Sequence, residues 1–450
     1  VEVQESAVKP IEPVFLDYQK DMSQLKAKSD IPVLYKQNVA NDLFQLIYVF
    51  DMGNNHDKAL GTAFDYLEYL GTSDMTPEEL KSEFYRLACT FYVSPGNERT
   101  YVVLSGLNEN MPAAVQLFEK LLADAQVNKE AYTNMTSDIL KARSDAKLNQ
   151  GQNFSRLMSF AMYGPKSPAT NLLTEAELTN MNPQELVDRI HNQNSYKHRI
   201  LYYGPSSSKD LLATINQYHQ VPAALKDIPA GNEYSYLETP VTKVLVAPYD
   251  AKQIYMAQIS NLDKKYDPAI EPIRALYDEY FGGGMNSIVF QEMRETRGLA
   301  YSAWASIMPP SYLKYPYVLR TQIATQNDKM IDAVTTFNDI INNMPESEAA
   351  FKLAKDGLTN RLRTERIIKG DIIWSYINAQ DLGQNVDPRI KLYNDIQNMS
   401  LKDIVDFQKQ WVKGRTYVYC ILGDKKDLEL DKLKAVGPIE ELTQEQIFGY

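Results

Sequence analysis

The 450-residue sequence has few of the side chains that bind metals or form disulfides. It contains two cysteines, Cys89 and Cys420, and four histidines, none of which forms an H-x-x-x-H pair. Two cysteines cannot form a disulfide framework, and we interpret both as separate buried thiols. No cysteine lies near any of the four histidines in the sequence, so we do not expect the histidines to bind a metal.

Long hydrophobic runs and clusters of positive charge are also absent. No apolar run approaches the ~20 residues that a membrane-spanning helix needs. The chain has 47 basic and 58 acidic residues and a net charge of −11. The lack of a basic cluster argues against a nucleic-acid partner. Hydrophobic residues make up 44% of the chain, which is enough for more than one core.

The start of the chain reads as a lead-in or linker. Residues 1–30 carry Pro10, Pro13 and scattered charges. The chain begins with Val1, which indicates that a signal or pro-segment has been removed or that the chain is part of a longer polypeptide. Residues 31–35 and 43–50 then read as two strands, which we predict to pair as a hairpin.

The second half of the chain repeats the order of the first. Several residues return in sequence: Tyr66 and Gly71 as Tyr277 and Gly282, 211 further on, and Asn108 and Phe118 as Asn327 and Phe337, 219 further on. A period this long indicates a duplicated domain. We predict an α+β protein with two homologous domains, residues 31–225 and 226–450. Each is expected to be a mostly antiparallel sheet with helices packed on one face.

The most informative stretch is Phe281–Tyr301. Its three consecutive glycines break the preceding helix, and Asn286 or Ser287 can cap a new one. Gly298 is placed to end that helix with a left-handed residue. From residue 299 onwards, alternating residues predict a strand. Arg294 therefore falls on the last turn of the helix.

This stretch resembles the C-terminal signature of the pitrilysin family of zinc metallopeptidases, which includes insulysin and the mitochondrial processing peptidase. In that family a Gly-rich turn, a helix and a strand carry an Arg and a Tyr seven residues apart. Arg294 and Tyr301 match that spacing. The resemblance extends over nearly the whole chain. It implies that the two domains form a half-shell and that two half-shells enclose a chamber.

The resemblance assigns roles to this pair. Tyr301 would donate a hydrogen bond to the oxyanion of a zinc-bound peptide, and Arg294 would hold a substrate carbonyl or carboxylate. Without the resemblance, such an Arg is usually a solvated charge near a helix C-terminus, and such a Tyr is usually half-buried packing.

The neighbouring residues have two interpretations as well. Gly282, Gly283 and Gly284 are expected to form a chamber wall that touches substrate, or simply a loop that needs glycine backbone freedom. Phe281 is a candidate for a peptide-binding surface, with core packing as the alternative.

The zinc motif of the family is degenerate here. An active half carries H-x-x-E-H on a helix before a Gly-Thr turn. Asp65 and Tyr69 stand where the two histidines belong, and only Glu68 is retained. No Glu occurs between Ala131 and Thr174, where the third ligand would fall. Two carboxylates on one helix face are more often solvated than bound to a hard cation. We therefore predict no metal site in this chain and no activity of the chain alone.

These observations predict the non-zinc half of a pitrilysin-type endopeptidase. Its partner would be a zinc-bearing half, in the same polypeptide or in a separate subunit, with zinc as the cofactor of that half. Its substrates would be unfolded peptides. The alternative is a catalytically inactive peptide-binding or assembly subunit, similar to the respiratory core proteins. The resemblance and the missing N-terminus favour a bacterial periplasm or cell envelope, although the sequence itself leaves the compartment open.

Overall fold

The computed structural model describes residues 11–250 and 253–450, so the first ten residues of the predicted lead-in lie outside it. The chain forms two compact units. The N-terminal unit contains Tyr18–Ser235, Ile368–Trp374 and Glu445–Tyr450. The C-terminal unit contains Tyr236–Ile367, Ser375–Gln444 and the described part of the segment that ends at Asp17.

The N-terminal unit is built on a six-stranded sheet with the order β1-β2-β6-β3-β5-β4. Only the β2–β6 pair is parallel. The strands are β1 (Ser23–Lys26), β2 (Pro32–Gln37), β3 (Leu43–Phe50), β4 (Cys89–Pro95), β5 (Thr100–Leu107) and β6 (Arg199–Gly204).

Most helices of this part of the chain pack on one face of that sheet. Alternate β3 residues, among them Phe44, Leu46 and Tyr48, join the helices in one hydrophobic core. The helices are α1 (Tyr18–Asp21), α2 (Leu60–Leu67), α3 (Pro77–Arg86), α4 (Met111–Asp124), α5 (Lys129–Lys147), α6 (Gln150–Tyr163), α7 (Glu175–Asn180), α8 (Gln184–Asn192) and α9 (Ser208–Tyr218).

The C-terminal unit has a second six-stranded sheet, with the order β12-β7-β11-β8-β10-β9. Its β12–β7 and β7–β11 pairs are parallel, and the other three pairs are antiparallel. The strands are β7 (Lys243–Pro248), β8 (Gln253–Lys265), β9 (Ser302–Met308), β10 (Pro316–Gln326), β11 (Val418–Gly423) and β12 (Ile439–Glu441).

The second half of the chain supplies nine further α-helices among the described residues and one π-helical segment, Gln291–Thr296. They are α10 (Glu271–Phe281), α11 (Ile288–Phe290), α12 (Met330–Asn342), α13 (Glu348–Thr364), α14 (Asp371–Asp381), α15 (Pro388–Ile396), α16 (Leu401–Trp411), α17 (Leu430–Leu433) and α18 (Gln444–Phe448). No helix in the described ranges is long and apolar enough to cross a membrane.

The predicted fold class is confirmed. The two sheets have equivalent strand orders, in which β2, β6, β3, β5 and β4 correspond to β7, β11, β8, β10 and β9. The outer strand beside β2 or β7 differs. β1 precedes β2 in the chain and is antiparallel to it, whereas β12 comes near the chain end and is parallel to β7.

The predicted hairpin of the first two strands is wrong. β6 lies between β2 and β3, parallel to β2 and antiparallel to β3. The turn after β2 is fixed by Asn38, whose side-chain amide donates to Asn41 Oδ1 at 2.7 Å and to the carbonyl of Leu43 at 2.9 Å. Because β6 arrives about 150 residues later, local alternation alone predicts the two strands but not their neighbours.

The described part of residues 1–30, which the sequence predicts to be a lead-in or linker, contains secondary structure. It includes α1 and the outer strand β1. Within the C-terminal unit, the backbone N–H of Leu16 donates to the buried carboxylate of Asp387 at 2.9 Å. The guanidinium of Arg389 pairs with the same carboxylate at 2.6 Å and lies 5.8 Å from the ring of Phe15. The part of the chain around Phe15 and Leu16 is thus held by specific contacts at the start of α15.

Candidate functional site

The Gly-rich turn brings the end of α10 against β9. A Cβ added at Gly282 would lie 2.2 Å from the carbonyl oxygen of Ala305, and one at Gly283 would lie 2.8 Å from that of Asp278. Both positions require glycine for close backbone approach. A Cβ at Gly284 would meet no atom within 4 Å, so packing does not explain this residue.

Phe281 lies in the core beneath this turn. It is 1% exposed, and its ring stacks on that of Tyr277 at a centroid distance of 5.2 Å. The neighbouring Tyr280 is also fully buried, and its hydroxyl donates to the carbonyl of Pro345 at 2.7 Å. Hydrophobic burial therefore places Phe281 where it presents no surface to a peptide.

A buried carboxylate fixes β9 beside this turn. Asp278 accepts hydrogen bonds from the backbone N–H of Ile307 at 2.9 Å, the Ser306 hydroxyl at 2.8 Å and Arg274 Nη1 at 2.8 Å. Arg274 Nη1 also donates to the carbonyl of Ile307 at 3.1 Å. Burial raises the pKa of Asp278 to about 6, against the opposing effect of the Arg274 charge. These contacts use backbone groups at the outer edge of β9.

The helix after the turn begins and ends as the sequence predicts. The Ser287 hydroxyl caps α11 by accepting the N–H of Phe290 at 3.4 Å. Val289 and Met293 are fully buried and anchor the helix. The backbone widens into the π-helical segment, a deviation often found at functional sites. Gly298 ends it with φ +58°, a conformation that favours glycine.

This backbone brings Arg294 and Tyr301 together. The Cζ atom of Arg294 lies 5.7 Å from the Tyr301 ring centroid and 5.0 Å from that of Phe290. Arg294 Nε also lies 3.6 Å from Glu295 Oε1. Tyr301 is 71% exposed, and its backbone N–H is anchored to the carbonyl of Ala324 at 2.9 Å. The two side chains form one accessible pair with hydrogen-bond donors, just before β9.

The degenerate zinc helix places its carboxylates at the surface. Asp65 lies near the end of α2, and Glu68 and Tyr69 follow the helix; all three residues are exposed. The pKa of Asp65 is raised, first by desolvation from the surrounding protein and then by the Glu68 carboxylate. The described residues contain no group of three or more His, Cys, Asp or Glu side chains arranged to hold a metal. Tyr66, between them, is buried, and its hydroxyl donates to the carbonyl of Asn128 at 2.7 Å.

Two histidines form a buried chain with a glutamate that the sequence analysis missed. His219 Nδ1 lies 2.6 Å from Glu119 Oε1, and its Nε2 lies 2.8 Å from His198 Nε2. Glu119 and His219 are 1% and 0% exposed. A possible signal was the presence of Glu119 on the apolar face of α4, directly after the buried Phe118. The three residues lie too far apart in sequence to form a motif.

Comparison with known proteins identifies a matching domain and similar folds. Residues 200–358 match the family described as peptidase M16 inactive domain. A Helicobacter pylori protein named non-peptidase homolog YmxG is 23% identical over 422 residues, which cover 89% of this chain and 93% of that protein.

Two solved structures share the fold. The peptidase M16 inactive domain from Pseudomonas fluorescens has a TM-score of 0.69 at 15% identity, over 90% of this chain and 98% of the other. The periplasmic protease PqqL from Escherichia coli has a TM-score of 0.70 at 13% identity. That match covers 92% of this chain but only 46% of PqqL, so the chain spans about half of that protein. These findings agree with the resemblance seen in the sequence: residues 200–358 match a peptidase M16 inactive domain, and over most of its length the chain is similar to a non-peptidase homolog and shares the fold of a solved M16 inactive domain.

Proposed function

We propose that this chain is the non-zinc half of a pitrilysin-type metalloendopeptidase and supplies Arg294 and Tyr301 to a peptide held by a zinc-bearing half. The proposal rests on the pairing of these two side chains. The Cζ atom of Arg294 lies 5.7 Å from the ring centroid of Tyr301, and Tyr301 is 71% exposed. Among the described residues, none accepts or donates a hydrogen bond at the Tyr301 hydroxyl, which is therefore free to bind an external group.

Each side chain has a defined task in this proposal. The Tyr301 hydroxyl donates to the oxygen that becomes negative when water attacks the peptide carbonyl, a contact worth about 3–4 kcal/mol in the transition state. Arg294 binds a neighbouring carbonyl or carboxylate with its planar donor fork and fixes the peptide's position. Packing does not require a glycine at position 284. Gly284 is therefore the residue of the turn that we expect to contact the bound peptide.

The partner in this proposal carries the zinc and its general base. The domains of this chain, residues 31–225 and 226–450, would form one half of the assembled enzyme. The length of PqqL, of which this chain covers 46%, supports an arrangement in which two such halves act together. The description of PqqL as a periplasmic protease supports a periplasmic setting for this chain as well.

A second candidate is a catalytically inactive peptide-binding or assembly subunit. The name of the Helicobacter pylori relative, a non-peptidase homolog, favours it, because that protein aligns with 89% of this chain. The two candidates differ in one respect. The first requires Arg294 and Tyr301 for turnover, and the second does not.

Cleavage of an internally quenched fluorescent peptide separates them. The chain is assayed alone, then with the H-x-x-E-H-bearing protein encoded beside it. The first candidate predicts no cleavage by the chain alone and zinc-dependent cleavage by the pair. No cleavage by the pair would favour the inactive subunit, and zinc-dependent cleavage by the chain alone would refute both.

Point variants then test the two assigned side chains in the assembled enzyme. Tyr301→Phe is expected to lower kcat by about 10²-fold or more with little change in peptide affinity, because only the transition-state donor is lost. Tyr85→Phe is the matched control, since Tyr85 is 88% exposed in the other unit. Arg294→Ala is expected to lower kcat/KM mainly through weaker productive binding. Turnover by Tyr301→Phe equal to that of the control would remove the role assigned to Tyr301.

A further inference from the structure

Arg320, in the C-terminal unit, has no partner of opposite charge among the described residues. Arg320 lies on β10, and its side chain points away from the helices because Tyr317, Leu319 and Ile323 on the same strand face the helical core. The residue is partly buried. Its Nε atom is buried and has no hydrogen-bond partner among residues 11–250 and 253–450.

Two neighbouring side chains contact the guanidinium of Arg320. Its Cζ atom lies 5.2 Å from the ring centroid of Trp304, on β9. Its Nη2 atom donates to the side-chain oxygen of Gln322 at 3.0 Å. Trp304 and Gln322 lie opposite each other in the β9–β10 register, next to the pair formed by Ser306 and Arg320. Stacking uses the face of a guanidinium and leaves the donors at its edge free for an in-plane acceptor.

Two other buried arginines of this unit have carboxylate partners, which Arg320 lacks. Arg274 pairs with Glu271 at 2.9 Å and with Asp278 at 2.8 Å, and Arg389 pairs with Asp387 at 2.6 Å. Arg320 forms no ion pair with any carboxylate of the described residues, although the chain has 58 acidic residues and only 47 basic ones. Burial lowers the pKa of Arg320, as expected for a desolvated cation without an anion.

We propose that Arg320, stacked on Trp304 and braced by Gln322, is a binding site for a carboxylate of a peptide that lies along this sheet face. This inference deepens the proposed function, on which it rests. One guanidinium neutralises one carboxylate, and the pair forms charge-assisted, in-plane hydrogen bonds that repay the cost of burying the charge. The carboxylate comes from an acidic side chain or from a peptide C-terminus, because both present the same group.

The strand register places this site relative to the Arg294–Tyr301 pair. The backbone N–H of Tyr301 binds the carbonyl of Ala324, and Arg320 lies four residues from Ala324 on the same strand. Four residues of extended chain span about 13 Å. The carboxylate site therefore lies about four residues along β10 from the point where the backbone of Tyr301 is bonded.

Direct binding to the isolated chain tests the site without the zinc half. The probes are fluorescein-labelled, C-terminally amidated decapeptides without other charges, which carry one Glu or, in the twin, one Gln. A third probe is the Gln peptide with a free C-terminal carboxylate. The Glu peptide, the free-acid peptide or both are expected to bind about tenfold or more tightly than the uncharged twin, as measured by anisotropy. The arm that shows the gain identifies the source of the carboxylate.

Two variants assign the preference to Arg320. Arg320→Gln is expected to abolish the preference for the acidic probe and leave binding of the uncharged twin unchanged. Arg363→Gln is the control, because Arg363 also stacks on a ring, that of Tyr393 at 5.9 Å, and its preference should persist. Equal affinity of wild-type protein for all three probes overturns the site even if Arg320→Gln fails to fold. A preference for the acidic probe that persists in a folded Arg320→Gln variant also refutes the site. Neither result bears on the role of Tyr301, which the cleavage assay tests separately.

Discussion

Acid is expected to destabilise the N-terminal unit through one buried histidine. His198 is 7% exposed; its Nε2 faces His219 Nε2 at 2.8 Å, and its Nδ1 lies 2.7 Å from the carbonyl oxygen of Tyr196. His219 in turn contacts Glu119 at 2.6 Å. The other oxygen of Glu119 accepts the side-chain amide of Asn194 at 2.9 Å. Titration of His198 therefore acts on a fully bonded buried chain.

The three contacts in this chain need three protons. The carbonyl of Tyr196 can only accept, so the arrangement that satisfies the contacts of His198 has a proton on its Nδ1 and a proton donated to its Nε2 by His219. His198 is then neutral, accepts at Nε2 and donates from Nδ1 to the carbonyl of Tyr196. A further proton on His198 would point at the N–H of His219 and place a positive charge in a buried site. Burial, and then the charge of His219, lower the pKa of His198 to about 3.

The size of the effect follows from that shift. A histidine in an unfolded chain titrates near pH 6.5. Because the folded pKa is lower, stability is full above about pH 6.5 and is lost progressively as the pH falls towards 3. Between pH 7.5 and pH 5, His198 alone should lower the free energy of unfolding of this unit by about 2 kcal/mol.

Native-state hydrogen exchange is the appropriate assay, because it reports on each unit separately. After correction for intrinsic exchange, amides of β3 and β6 should show a free energy of opening about 2 kcal/mol lower at pH 5 than at pH 7.5. The C-terminal unit provides a contrast of opposite sign. The pKa of Asp278 is raised to about 6, so its stabilising contribution is present at low pH and lost as the pH rises through about 6. A global melting curve would mix the two effects.

Variants distinguish His198 from other acid-sensitive groups. In His198→Gln, opening of β3 and β6 should depend much less on pH in this window, even if the variant is less stable overall. His191→Gln is the control, because His191 lies in the same unit but contacts the carbonyl of Ala125 instead of this chain. Identical exchange of wild-type β3 and β6 at the two pH values would refute the neutral, buried state of His198.

Two further predictions concern the turn and the cysteines. Gly282→Ala should destabilise the C-terminal unit by about 2 kcal/mol or more in urea unfolding, because the added Cβ would lie 2.2 Å from the Ala305 carbonyl oxygen. Gly284→Ala is the control and should change the free energy of unfolding by less than about 0.5 kcal/mol. Equal effects of the two substitutions would contradict the packing explanation. Burial raises the pKa of the Cys420 thiol to about 12 and also raises that of Cys89, so neither should react with a thiol reagent until the protein unfolds, and rapid labelling of native protein would contradict their burial.

Local signals explain why the stretch around Arg294 could be predicted from the sequence. A Ser at the start of a helix, buried residues one turn apart and a glycine with positive φ at the end all act within a few residues. The structure shows each of them, in Ser287, Val289, Met293 and Gly298. The π-helical segment was not predictable from the sequence, because it depends on how the buried side chains pack in the core.

Long-range features explain what the sequence did not predict. The order of β2, β6 and β3 depends on a strand that arrives about 150 residues later. The chain of Glu119, His219 and His198 joins residues 21 to 100 positions apart. Arg320 alternates with buried neighbours, so by pattern alone it reads as an ordinary solvated charge. Its unpaired state is visible only when the neighbouring strands are in place.

The two halves of the repeat show why the fold was easier to predict than the chemistry. The equivalent helices α2 and α10 both bury a tyrosine, Tyr66 and Tyr277, each with a bonded hydroxyl. With the same offset of 211, however, Asp278 corresponds to Leu67. A carboxylate that fixes the edge of β9 thus has an apolar counterpart next to β4. Apolar positions are constrained by the shared core and therefore repeat, which is what the sequence analysis detected. Exposed and edge positions are free to diverge after duplication, so the repeat carries no information about which half binds metal or peptide.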